Sequence, residues 1–365
     1  MFPEMQLWLK IVLALVAAII LAYVTTPPIK LFAEKVGAID VPKDARRVHK
    51  KPIPRMGGMA IFIGFLFAVI LFAEIDKPLR GILIGCLIIV ATGAIDDIKP
   101  MRWWVKLICQ IAAAIVAVAH GVVINVLFNP NILSDNTTLL LGSLSIPITI
   151  IWIVAITNAV NLIDGLDGLA CGVSCISSLT MLVVALILSE GNIAVVLAAL
   201  VGACIGFLPY NANPAKIFMG DTGALLLGFA LSTISVSAMF KFYAIITFVV
   251  PMLAMALPLF DTLFAIIRRL LKGQSPMTPD RGHLHHRLID MGLSQKQAVA
   301  ILYSLSAVLG LTAVVINTHG PLRITLLIAE LLLAVIIGFF VKSQIEHPAN
   351  VPHKEEEKTS SEPTE

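Results

Sequence analysis

Charge is what this sequence has least of. Asp, Glu, Lys and Arg make up only 13% of its 365 residues, against about 25% in soluble domains. Hydrophobic residues make up 58%. An interior of ordinary proportions cannot hide that much apolar surface, so a water-soluble globular protein is excluded, and so is a disordered or collagen-like chain. Lipid is the expected solvent for most of the chain. Cysteine is sparse as well. Cys86, Cys109, Cys171, Cys175 and Cys204 all lie in or beside apolar runs, with no spacing that builds a zinc site or a disulfide framework. The leader MFPEMQ lacks the positive region of a cleavable signal peptide. There is no fixed-period repeat, no sign of a separate soluble domain, and nothing that points to a nucleic-acid partner.

What remains is a series of apolar runs. A bilayer-crossing helix needs about 20 mostly apolar residues. Runs near 6–25, 57–73, 80–95, 104–124, 145–161, 169–188, 193–209, 223–240, 244–267, 298–317 and 322–341 approach or meet that length. The second and third are short, and Pro251 and Pro258 interrupt the ninth, which a kinked, buried helix tolerates. The expectation is an all-α polytopic membrane protein of about eleven transmembrane helices. Residues 1–341 would form one domain, and the polar tail 342–365 would be disordered. Of the 26 Lys and Arg residues, 21 fall on one side of these runs; only Lys10, Lys77, Arg80, Lys241 and Arg323 fall on the other. Positive residues mark the cytoplasmic face, so the N-terminus is expected outside and the C-terminus inside.

The same parity gathers the unusual polar residues on the cytoplasmic side. They are Asp96-Asp97, the run NAVNLIDGLDG (158–168), the run NPAKIFMGDTG (213–223) and RGHLHHR (281–287). Adjacent carboxylates repel, a cost supportable beside a cation or a cationic substrate; the plainer reading is a solvated helix end paired with Lys99 and Arg102. Asn158, Asn161 and Asp164, spaced by three, share a helix flank. Gly165 and Gly168 free the backbone to aim Asp167 at the same point, although Asp-Gly pairs are also common turn formers. Asp221 opens the eighth run, where it could cap the helix or hold a hard cation beside amide nitrogens that attract phosphate. Phe218 stands at the membrane edge, where aromatics ordinarily anchor, and Asn211 and Asn213 flank it. His283, His285, His286 and Arg287 form a cationic loop that could bind headgroups; carboxylates nearby suit Mg²⁺ better than zinc. The basic loop 43–58 is long enough to reach a phosphorylated ligand. Acids, amides and cations around a helix start describe a Mg²⁺-dependent phosphoryl-transfer site at a membrane face.

Read together, RVHKKPIPRMGG, GAIDD, TNAVNLIDGLDGLA, NPAKIFMGDTGA and GHLHHRL resemble the polyprenyl-phosphate N-acetylhexosamine-1-phosphate transferases. The likeness is greatest to the bacterial undecaprenyl-phosphate GlcNAc-1-phosphate transferases that start teichoic acid, O-antigen or enterobacterial common antigen assembly. It covers roughly residues 10–340. The resemblance implies transfer of GlcNAc-1-phosphate from UDP-GlcNAc to undecaprenyl phosphate, with UMP released, in a bacterial plasma membrane with the active site on the cytoplasmic face. It implies Mg²⁺, with Mn²⁺ as an allowed substitute, and is compatible with a homodimer. By resemblance, Asp221 is the metal ligand, with Asn161 assisting. Asp96, Asp97 and Asp164 match catalytic positions, and Lys106 a phosphate-side lysine. Asp167, Asn211 and Phe218 match the uridine side, and His283, His285, His286 and Arg287 the segment linked to sugar-nucleotide binding. Pro100 stands where many relatives carry a third charged residue. The HLHHR pattern is that of the GlcNAc branch rather than the phospho-MurNAc-pentapeptide branch, which remains the alternative within the family. An ion-coupled transporter is the alternative from another class, since intramembrane carboxylates often mark ion paths, with Asp261 and Glu330 as its deepest acids. CDP-alcohol phosphotransferases also use Asp-Gly motifs, but Gly168 is followed here by LACG, which departs from their pattern.

Overall fold

A computed structural model describes residues 3–42, 51–128, 138–239, 251–271, 273, 283–318 and 320–346. Helices dominate: α1 (Pro3–Val36), α2 (Gly58–Phe72), α3 (Lys77–Ile98), α4 (Trp103–Ala119), α5 (Ser145–Ile163), α6 (Leu169–Ile187) and α7 (Gly191–Asn211). They continue as α8 (Gly220–Met239), α9 (Ala256–Leu271), α10 (Leu284–Asp290), α11 (Gln295–Ile316) and α12 (Gly320–Glu346). Two short antiparallel ladders join them: β1 (Ile39–Asp40) with β2 (Ile53–Pro54), and β3 (Val126–Phe128) with β4 (Thr138–Leu140). Among the described residues, α1, α3, α5, α6, α7, α8, α11 and α12 are long and apolar enough to cross a membrane; α2 and α4 are shorter apolar helices. Part of the ninth expected span, 244–250, and most of the expected tail lie outside the described residues.

Two boundaries depart from the sequence-based expectation. The first helix does not stop near residue 25 but continues through Pro27 and Pro28 to Val36. The reason is visible in its packed face: Ile11, Ala14, Ala18, Ala22, Thr26, Ile29 and Ala33 are all buried, an uninterrupted three-and-four spacing that carries across the prolines. At 1.5 Å per residue this helix is about 50 Å long, well beyond a hydrocarbon core of about 30 Å. The last helix likewise runs to Glu346, five residues into the segment expected to be a tail.

α8 forms the axis of the bundle. Within its span 89% of residues are buried, whereas none of the α12 span is. Small residues let its neighbours approach. A Cβ on Gly58 of α2 would stand 2.1 Å from the Gly223 backbone, one on Gly93 of α3 2.4 Å from Thr222 Cα, and one on Gly228 of α8 itself 2.6 Å from Thr157 Cα of α5. Backbone atoms cannot swing aside, so these crossings require glycine; such close approach is how helices associate where lipid offers no hydrophobic driving force. α7 meets α1 in the same way, Gly202 and Gly206 lying over Leu15 O and Ile19 O. Buried hydroxyls in the middle of α8 bond its own carbonyls: Thr233 Oγ1 donates to Phe229 O at 2.7 Å and Ser235 Oγ to Ser232 O at 2.7 Å.

Candidate active site

The tight crossing at Gly93 brings the end of α3 against the start of α8, and there the site begins. Asp97 is 5% exposed and accepts from Asp221 N (3.0 Å), Thr222 N (3.1 Å) and Thr222 Oγ1 (2.6 Å). It therefore caps α8 from another helix, the role that sequence offered to Asp221, and satisfies amides that a helix start leaves unpaired. Asp221 is thereby released to point elsewhere. Its Oδ2 accepts from Lys106 Nζ at 2.8 Å and its Oδ1 from Asn161 Nδ2 at 3.3 Å.

Asp96 faces the same lysine, accepting from Lys106 Nζ at 3.1 Å and from Met101 N at 2.6 Å. The turn Lys99-Pro100-Met101 reverses the chain so that Lys106, on the first turn of α4, looks back between the two carboxylates. Pairing with Lys99 and Arg102 at a solvated helix end is not what forms; both aspartates are buried.

From α5 comes Asp164, just past the helix end. Burial, and then the carboxylate of Asp221, push its pKa up to about 7, with Arg55 pulling it down. Gly168, at φ +78°, then turns the chain into α6. Asp167 between them accepts from Asn213 Nδ2 (2.9 Å) and Ala215 N (3.0 Å), holding the loop after α7. Asn211 is buried and donates to Ile217 O at 3.2 Å, leaving its Oδ1 without a partner among the described residues. Asn158 does not join Asn161; it pairs with Gln110 instead, at 2.6 and 3.3 Å.

These groups enclose a cavity of about 300 Å³ lined by Asp40, Arg55, Asn161, Asp164, Asp167, Asn211, Phe218, Asp221, His286 and Gln295, among others. The histidine segment divides around it. His286 lines the cavity. His285 lies behind it, its Nε2 against Gly165. His283 is held away by Asp261, Nδ1 to Oδ2 2.9 Å, with Leu284 N donating to Asp261 Oδ1 at 2.7 Å. Arg287 lines a separate, mainly apolar cavity with Phe260, Phe264 and Leu305. Thus Asp96, Asp97, Lys106, Asn161, Asp164, Asp167, Asn211, Phe218, Asp221 and His286 converge, whereas His283, His285 and Arg287 support or border the site. Arg55, Asp40 and Gln295 were missed as individual residues; the one legible signal was the basic character of the loop that carries Arg55.

His285 is buried, and burial, then His286, lower its pKa to about 4. A free imidazole titrates near 6.5. Above that value the closed and opened segments are equally unprotonated and pH has no effect. As pH falls through 6.5 only the opened segment gains the proton, so closure weakens, by about 3 kcal/mol at pH 4. The melting temperature of the wild type is expected to fall more steeply between pH 7 and 4.5 than that of His285→Gln; parallel curves would remove His285 as the cause.

A helical membrane bundle with carboxylates, amides and one lysine gathered at a single end of its helices is the architecture of a membrane-embedded enzyme acting on anionic groups. The family model described as Glycosyl transferase family 4 matches residues 79–239, the stretch from α3 to α8 that carries the Asp96–Lys106–Asp221 constellation. The chain is 40% identical over 313 residues to the probable undecaprenyl-phosphate N-acetylglucosaminyl 1-phosphate transferase of Bacillus subtilis strain 168, covering 85% of this chain and 86% of that protein. It is 37% identical over 314 residues to the decaprenyl-phosphate N-acetylglucosaminephosphotransferase of Mycobacterium tuberculosis H37Rv, covering 78% and 77%. With the undecaprenyl-phosphate alpha-N-acetylglucosaminyl 1-phosphate transferase of Escherichia coli K12 the identity is 28% over 318 residues, 85% of each chain. The chain belongs to the polyprenyl-phosphate N-acetylhexosamine-1-phosphate transferase family.

Proposed function

We propose that this protein transfers GlcNAc-1-phosphate from UDP-GlcNAc to undecaprenyl phosphate, releasing UMP, as the first membrane step of a bacterial cell-envelope glycopolymer. The observation that carries the reading is the bridge Asp96–Lys106–Asp221 over a polar cavity at the helix ends, in a chain whose relatives are named for this transfer. In this reading about eleven transmembrane helices, with the N-terminus outside and the C-terminus inside, would leave that cavity at the cytoplasmic face of the plasma membrane, where the nucleotide sugar is available. The transporter reading loses its ground here. Transporters bind near the midplane, whereas these acids sit at helix ends, and Asp261 is engaged by the start of α10.

The donor set fits a divalent cation. Asp164, Asp221 and Asn161 offer oxygens only, the chemistry Mg²⁺ prefers, and Mn²⁺ could substitute. No cluster of three His, Cys, Asp or Glu stands ready as a closed cage among the described residues; Mg²⁺ usually takes one or two carboxylates and leaves its other positions to phosphate and water. Burial raises Asp164 first and the carboxylate of Asp221 next; a cation between these carboxylates would relieve the second. When bound, Mg²⁺ would neutralise charge on the diphosphate.

In the reaction a phosphate oxygen of the lipid attacks the β-phosphorus of UDP-GlcNAc. A P–O bond forms, the bond to the bridging oxygen breaks, and UMP departs. One diphosphate bond replaces another, so catalysis is chiefly positioning and charge neutralisation. The lipid phosphate has a second pKa of about 6 and is largely ionised at neutral pH, leaving little proton for a base to remove. Asp96, occupied by Lys106 and Met101, orients the lysine. Asp97 holds α8 in place. Lys106 meets phosphate, and Phe218 stacks on uracil. Release of radiolabelled UMP from UDP-GlcNAc by purified protein, dependent on both undecaprenyl phosphate and Mg²⁺, tests the reading; no release in their presence would defeat it.

Because stacking is ground-state binding far from the reacting phosphorus, Phe218→Ala is expected to raise KM for UDP-GlcNAc about tenfold or more, with a smaller fall in kcat. Phe218→Trp should keep most of the affinity. An unchanged KM would return Phe218 to membrane anchoring.

A further inference from the structure

The segment Pro54–Gly58 is zipped onto the loop before α8. Phe218 N donates to Pro54 O at 2.8 Å, Gly57 N to Phe218 O at 2.9 Å and Gly58 N to Met219 O at 2.9 Å. On its other side Arg55 N donates to Ala38 O at 2.8 Å. Within this strap Met56, 1% exposed, is held at φ +75°. A left-handed conformation costs a residue with a Cβ about 1 kcal/mol or more and persists only where its surroundings enforce it. The surroundings here are the three bonds to 218–219. Their effect is to seat Arg55 beside Phe218 on the wall of the polar cavity.

The charge balance of that cavity gives Arg55 a task. Four carboxylates line it: Asp40, Asp164, Asp167 and Asp221. Lys106 is already shared between Asp96 and Asp221. The guanidinium of Arg55 makes no ion pair within 4 Å among the described residues, and its Nε is buried without a hydrogen-bond partner. A buried guanidinium donor without an acceptor is costly to leave unmade, and its planar fork matches a phosphate. The neighbouring aromatic fixes which phosphate: the one attached to the nucleoside.

We propose that Arg55 binds the phosphate that stays with the nucleoside, gripping the donor diphosphate at its uridine end and stabilising the UMP that leaves. This rests on the transfer reaction proposed above. It assigns the strap a second purpose beyond shaping the pocket, and lies outside residues 79–239 matched by the family model.

The test compares binding of UMP and uridine to purified full-length wild type, Arg55→Ala, Arg55→Lys and Phe218→Ala. A hydrogen bond to a charged group contributes about 1.5–3 kcal/mol, so Arg55→Ala is expected to weaken UMP about 10- to 100-fold while uridine binding changes little. Arg55→Lys should recover part of the loss. Phe218→Ala should weaken both ligands alike. Equal loss of UMP and uridine in Arg55→Ala would show that the residue only shapes the strap and would overturn the proposal, as would unchanged UMP affinity. If wild type neither binds UMP nor releases it from UDP-GlcNAc, the transfer reading itself falls, an outcome distinct from a failure confined to the Arg55 variants.

Discussion

Replacing Asp221 with asparagine is expected to abolish transfer, by about a thousandfold or more, the scale on which loss of a preorganised charge contact acts, while the protein stays folded. Asparagine keeps the size of the side chain and an oxygen for Lys106 but removes the charge. The start of α8 does not depend on Asp221, because Asp97 caps it. The loss should therefore fall on the chemistry. With the carboxylate gone, Lys106 keeps Asp96, at 3.1 Å, as its one anionic partner among the described residues, and the metal loses one of the two acidic ligands proposed for it. Turnover measured as UMP release over a range of Mg²⁺ should show partial rescue at high concentration. Near wild-type turnover at low Mg²⁺ would defeat the metal assignment.

Asp97→Ala is expected to act on stability first. It strands two backbone amides and the Thr222 hydroxyl in a buried place, at a cost of about 2–4 kcal/mol. Asp97→Asn keeps one acceptor oxygen and should lose about half as much. Thermal unfolding of both variants beside wild type, with UMP release measured well below the transitions, separates positioning from chemistry. A variant that melts like wild type yet loses more than about a hundredfold in rate would make Asp97 a reacting group, not a cap.

The comparison of these two aspartates shows how much the sequence revealed. Their identity and their convergence with Asn161, Asp164 and Lys106 at one end of the helices were legible, because apolar run lengths and charge parity place helix ends on one face. Which of them touches substrate was not. Asp97 and Asp221 are 124 residues apart, and the exchange of capping duty between them depends on backbone proximity at Gly93, which no local pattern encodes. The first run was read as ending near residue 25, although the spacing of Ala22, Thr26, Ile29 and Ala33 carries the buried face of α1 on through Pro27 and Pro28. In the histidine segment spacing alone could not say that Asp261 would draw His283 aside, leaving His286 to face the cavity. Arg55 went unnoticed because a basic loop satisfies the positive-inside rule without any further purpose.

The enclosed axis helix has a consequence for how the protein is made. α8 has a mean hydropathy of 1.2, the lowest of the eight long apolar spans, against 2.8 for α12. It carries Asp221, Thr222, Ser232, Thr233 and Ser235 into the interior. Emerging alone from a ribosome, such a segment partitions into lipid poorly, since a single aspartate disfavours insertion by about 2.5–3.5 kcal/mol at the middle of a helix, and by less toward its end. By then α2, α3 and α5 have already been synthesised; α2 and α3 offer glycines where α8 crosses them, and Asp97 of α3 is a waiting partner for its first turn. Order of synthesis thus supplies the polar helix with its receptacle before it arrives, and substitutions in the earlier helices should surface as failed insertion of the later one.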